Sequence, residues 1–163
     1  MAVRTITTIL KLDKEEEYQN KIKSVNLNLK TLRSEMAEVT SRFQNNANSL
    51  EALKAKSEIY NAQLKQQVEK LNAAKAAHSD SIKAQKEYSD EVEKLKKALE
   101  ALNTTTEKNA VEEKKLKDEL KNAQTGYYEA TNAVHKWNTQ INYAQADINK
   151  LNNVIDKNND YIK

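Results

Sequence analysis

Cysteine and proline are absent from this chain of 163 residues, and glycine occurs once, at Gly126. Each absence removes a class of structure or chemistry. Without cysteine there is no disulfide, no thiolate nucleophile and no cysteine-ligated metal. Without proline, and with one residue suited to positive φ, the many tight turns of α/β and all-β folds have few places to form. A glycine-rich phosphate loop is excluded for the same reason. Aromatic residues make up only 6% and the mean hydropathy is -0.91, which leaves apolar material for a seam but not for a thick single core. No run approaches the roughly 20 apolar residues of a membrane span, and the first residues lack the apolar centre of a signal peptide. Membrane association is therefore not expected of this segment, and folding in the cytoplasm is. Charged residues reach 31%, yet 27 basic against 24 acidic side chains leave a net charge of only +3. Arginine is confined to Arg4, Arg33 and Arg42, a poor basis for specific nucleic-acid reading, so no such partner is expected.

What the chain has instead is a seven-residue apolar repeat in one phase. Its first members are Tyr18, Ile22, Val25, Leu29, Leu32, Met36, Val39 and Phe43. It returns as Leu50, Leu53, Tyr60, Leu64, Leu71, Val92, Leu95, Leu99 and Leu102. It ends as Leu116, Leu120, Tyr127, Val134, Trp137, Ile141, Ile148, Leu151, Ile155 and Ile162. A spacing of 3.5 residues keeps an apolar seam turned toward a partner helix. The expected fold is all-α: an elongated coiled coil, best arranged as a helical hairpin, which self-associates through the seam.

Residues 1–13 read differently. Val3, Thr5, Ile6, Thr7, Thr8 and Ile9 are β-branched, and Ile6, Thr8, Leu10 and Leu12 share one side of an extended chain, so one short strand is expected within 3–12. Asp13 followed by Glu15, Glu16 and Glu17 then resembles the start of a helix, where carboxylates suit both the cap and the dipole. The first helix is placed in 14–45. A polar cluster at 44–49 closes it, and Asn48 with Glu51 is the expected cap of the next. The coiled-coil region 50–163 divides into helices 50–102 and 105–162, with Thr104 and Glu107 matching a capping box. Within the helix 50–102 the seam turns polar at Ser57, Gln67, His78, Ser81 and Gln85, while Val68, Ala77, Ile82 and Ala84 widen the apolar face. Glu91 with Lys96 and Glu112 with Lys117 fit interchain pairs flanking a parallel seam. Gly126 is expected to mark a kink. A continuous rod is the alternative to the hairpin, because a hairpin does not require the phase to persist through its turn.

Chemistry finds little footing. His78 and His135 are far apart and match no metal spacing. His78, Ser79 and Asp80 carry the letters of a triad, but neighbours on a helix point about 100° apart. Tyr127, Tyr128, Trp137 and Tyr143 are read as seam packing before a stacking platform. The lysines at 94–97 and 114–117 are read as solvated faces. No catalytic, cofactor-binding or metal-ligating residue is assigned, and no enzymatic activity or cofactor is expected.

Four stretches carry a resemblance. They are Arg4–Asp13 (RTITTILKLD) with Glu17 and Tyr18, Leu32–Phe43 (LRSEMAEVTSRF), Asn46–Leu53 (NANSLEAL) and Trp137–Asn152 (WNTQINYAQADINKLN). Together they resemble the N-terminal region of tail tape measure proteins of phages and prophages of Gram-positive hosts. The resemblance covers 4–72 and 127–159, with 75–120 as a variable coiled-coil insert. It implies a structural protein of the virion tail, assembled in the host cytoplasm, that lies in the tail tube lumen and sets tail length. Tail tube, baseplate hub and tail assembly chaperone proteins would be its partners. Family members are normally longer, so the chain is expected to be an N-terminal piece or a shortened relative. Lys14 also stands where the family often has glycine. From the residues alone, a cytoplasmic coiled-coil adaptor or scaffold that binds a partner protein is the competing reading.

Overall fold

The computed structural model describes residues 14–104 and 109–162. The expected strand at 3–12 and the Asp13 cap lie outside them. Over the described residues the chain is all-α, with α1 at Glu15–Arg42, α2 at Leu50–Thr104 and α3 at Ala110–Ile162. The helices are rich in alanine, leucine, lysine, glutamate and glutamine, the best helix formers. Exposed pairs one turn apart add to this: Lys97 to Glu93 at 2.7 Å and Lys117 to Glu113 at 2.5 Å. The lysine expected to reach between chains, Lys117, is thus bound within its own helix, and Glu91 likewise holds Lys94 at 3.6 Å. Glu91 and Lys117 thus each meet an oppositely charged neighbour three or four residues away on their own helix.

Two helix starts differ from expectation. Ser49, not Asn48, caps α2: its Oγ accepts from Ala52 N at 3.2 Å and its carbonyl from Leu53 N at 3.0 Å. Asn109 caps α3, with Oδ1 accepting from Val111 N at 3.2 Å and Glu112 N at 3.3 Å. Thr104 instead closes α2, its hydroxyl donating to Ala101 O at 2.8 Å. An N-cap side chain accepts from the N–H groups two or three residues after it, and Ser49 and Asn109 make those bonds. At the other end, α1 stops at Arg42, short of 45, where Gln44 N and Asn46 N turn to carbonyls three residues back.

The described chain forms two compact units. One comprises 77–137 with the first turn of α1. In it Gln85 Nε2 donates to Thr131 Oγ1 at 2.8 Å, and the Tyr88 ring lies against Gly126. Residue numbers rise along α2 as they fall along α3, so the two helices run antiparallel and the chain reverses between Thr104 and Ala110. The other unit comprises 17–76 with 138–163. There Asn28 Nδ2 donates to Gln66 Oε1 at 3.0 Å, and Asn158 Nδ2 to Leu53 O at 3.0 Å. Gln67 Nε2 donates to Asp147 Oδ2 at 3.2 Å. Both α1 and α3 therefore run antiparallel to α2 in this unit. Its core gathers Leu71, Ala144 and Ile148, with Leu64 and Ile141 packed against them, and α1 contributes Val25 and Leu29.

Candidate functional site

The seam is the main candidate for function, so the position of each expected member decides what it can do. Val25, Leu29, Leu53, Leu71, Leu95, Trp137 and Ile148 are buried. Tyr18, Ile22, Leu32, Met36, Val39, Phe43, Tyr60, Leu64, Val92 and Leu99 are half-buried, as are Leu102, Leu116, Leu120, Val134, Ile141, Leu151, Ile155 and Ile162. Two members fall outside it. Leu50 is 53% exposed and Tyr127 40% exposed. Leu50 opens α2 beside the turn, where Ala52 and Leu53 take the inward face. Tyr127 is rotated about 100° from buried Gly126, which lies in the inward row. Val68 and Ile82, expected to widen the apolar face, are also exposed, whereas Ala77 and Ala84 are buried.

The contact also uses residues too small to register as a seam. Ala74, Ala77, Ser81 and Ala84 on α2 are buried, as are Ala123, Gly126, Ala130 and Ala133 on α3. Both rows alternate by three and four, the spacing of one helix face, and that regularity was the available signal. Small side chains let two helices approach closely. Gly126 shows how close the approach is: a β-carbon there would collide with three atoms of the Tyr88 ring. The glycine is a seat for Tyr88, and α3 runs through it as helix. Burial pushes the Tyr88 phenol pKa up, and the carboxylates of Glu129 and Glu87 push in the same direction.

Polar groups fix which residues meet. Glu15 accepts from Trp137 Nε1 at 2.8 Å and from Lys136 Nζ at 2.5 Å. Lys136 lies 4.9 Å from the centroid of the Trp137 ring. This cluster ties the start of α1 to α3 around a tryptophan that is 2% exposed. Ser81 returns its hydroxyl to Ala77 O at 2.8 Å. Gln67 is 4% exposed, and while its Nε2 reaches Asp147, its Oε1 has no partner. A buried orphan acceptor costs about 1–3 kcal/mol.

An open groove of about 160 Å³ adjoins that layer, lined by Leu29, Arg33, Gln63, Gln67, Asp147, Lys150, Leu151 and Val154. Its one carboxylate, Asp147, is already engaged by Gln67. His78 is half-buried on α2, and His135 lies on the exposed face of α3. Among the described residues no group of three or more histidine, aspartate or glutamate side chains is placed to hold a metal. No described helix is long and apolar enough to cross a membrane. The four aromatic residues do not assemble: Trp137 is in the core, while Tyr127, Tyr128 and Tyr143 are exposed. The seam expected to recruit further copies is, in each unit, occupied by the chain's own helices. Comparison with protein-family models, with curated proteins and with solved structures finds no match to this chain.

Proposed function

We propose that the chain is a non-catalytic structural element, an antiparallel coiled-coil hairpin serving as the N-terminal region of a phage tail tape measure protein. One observation carries the structural part of this reading. Inward residues of α2 and α3 recur at heptad spacing and are spent on helix contact, and the groove beside them holds a single engaged carboxylate. The tail assignment rests on the resemblance of 4–72 and 127–159. Helical rise converts residue number into length, which is the physical requirement of a ruler. In this reading the protein lies in the virion tail after assembly in the host cytoplasm, against tail tube, baseplate hub and tail assembly chaperone proteins.

The test is an in-frame deletion in a phage that carries the gene. Three whole heptads are removed from α2 and the three facing them from α3, so that seam phase and pairing survive. Tails should shorten by about 32 Å if the helices measure as a hairpin, or about 63 Å if they measure end to end, at 1.5 Å per residue. Unchanged tails in particles containing a helical variant would contradict the ruler. The adaptor reading draws on a different observation: Tyr143, Val154 and Tyr161 leave apolar surface exposed on α3 at spacings of eleven and seven. It predicts that replacing these three residues by serine abolishes partner binding and leaves tail length alone.

A further inference from the structure

The turn between α1 and α2 carries more order than a turn within one chain needs. Residues 43–49 contain no glycine or proline, and no described residue takes a positive φ. Every residue of the turn therefore keeps to the half of backbone space that a helix uses. The seam phase also passes through without a slip: Met36, Val39, Phe43, Asn46, Leu50 and Leu53 alternate by three and four. Two helices joined by a turn can each take any phase. A single continuous helix cannot.

The pairing of α1 with α2 is centred on the same point. Arg42 meets Glu51 at 3.5 Å and Asn28 meets Gln66 at 3.0 Å. The midpoint of the first pair falls between Asn46 and Ala47 and that of the second at Ala47. If the turn straightens in two copies lying antiparallel, a twofold axis through that midpoint restores every pair between copies. The same register sets Phe43 opposite Leu50. Leu50 is the seam leucine left 53% exposed here, and the exchanged arrangement would cover it.

We infer that two copies of this chain exchange α1 through the turn at 43–49, forming a twofold antiparallel dimer in which one helix runs from Glu15 to Thr104. The partner is a second copy, and the surface it fills is the face of α2 and α3 covered here by Val25 and Leu29. Asn46 then occupies a seam position beside the axis, where a polar residue sets register at some loss of stability. The exchange does not depend on the tail assignment.

The experiment uses the full chain. Asn45→Ala, Asn46→Ala and Asn48→Ala together replace weak helix formers in the turn, whereas Asn45→Gly with Asn46→Gly disfavours a straight helix. Refolded at high concentration and sized by light scattering, the alanine chain should dimerise at least about tenfold more strongly than the unaltered one. The glycine chain should remain monomeric. To identify the dimer, Asn28→Cys and Gln66→Cys are placed in separate alanine chains, which are refolded together and treated with a short bismaleimide. The native chain has no cysteine, so exchange should give cross-linked unlike chains. An alanine chain that stays monomeric overturns the proposal, as does a dimer without that cross-link. Should the alanine chain lose its helical circular dichroism, the same two cysteines in the unaltered turn decide the question at high concentration.

Discussion

In the unit of 77–137, the buried positions are Ala77, Ser81, Ala84, Ala123, Gly126, Ala130 and Ala133, with only Leu95 and Trp137 large. In the unit of 17–76 and 138–163 they include Val25, Leu29, Leu53, Ile59, Leu71 and Ile148 beside Ala52, Ala73, Ala74 and Ala144. The difference follows from the number of helices. Two helices share one line of contact, and small residues along it let the axes come close. Three helices enclose a space that long aliphatic side chains must fill, because an empty one forfeits contacts on every side. One heptad phase thus serves two kinds of packing, and residue size decides between them.

The sharpest way to break the comparison is to remove the exception in the small-residue unit. Trp137→Ala should cost about 3–5 kcal/mol, and it leaves the Glu15 carboxylate without its indole donor. Leu71→Ala in the three-helix unit should cost about 2–5 kcal/mol. Hydrogen exchange reads where each loss falls: protection should drop first within 77–137 for the tryptophan variant and within 50–76 for the leucine variant. Equal loss across both units would show that the division has no energetic meaning.

Gly126→Ala tests close approach itself. On helix propensity alone it should stabilise by about 1 kcal/mol, but the Tyr88 ring occupies the space. A net loss of about 1–3 kcal/mol is expected from overpacking. In a Tyr88→Ala background the sign should reverse, so a urea-unfolding double-mutant cycle that shows no coupling between the two sites would remove the seat. Gln67→Leu should change stability by no more than about 1 kcal/mol in either direction. It removes an orphan acceptor but also the donor to Asp147.

The smallest effect is alkaline. The phenol of Tyr88 has its pKa raised above the ordinary 10.0 by burial first, then by Glu129 and Glu87. Its contribution is fully present below the unfolded value and is lost as pH rises through the higher folded one. Thermal unfolding followed from pH 9 upward should show a destabilising phase that Tyr88→Phe lacks.

Much of this was legible in the residues. Of the large buried side chains, Val25, Leu29, Leu53, Leu71, Leu95, Trp137 and Ile148 stand in the seven-residue phase and Ile59 does not, and the polar positions Gln67, Ser81 and Gln85 are evident within that phase. Chain direction was not legible, because the same seam letters serve a rod and a hairpin. Nor were the alanine rows, since alanine is apolar enough for a core and small enough for a surface, and only the facing helix decides. The role of Gly126 as a seat was not legible either, because its partner, Tyr88, lies 38 residues earlier. Ser49 and Asn48 are both good caps, and the choice depended on one residue of register. Glu15 resembled a first-turn acid, and nothing local pointed to Trp137.

The central claim is that the seam between α2 and α3 is closed within one chain by an antiparallel return. Gln85→Cys with Thr131→Cys tests it directly in a protein that otherwise lacks cysteine. Treated at high dilution with a short bismaleimide, the variant should give a monomer with an internal cross-link, mapped by proteolysis to the two positions. Cross-links found only between chains, or none at all in a fully helical protein, would contradict the account.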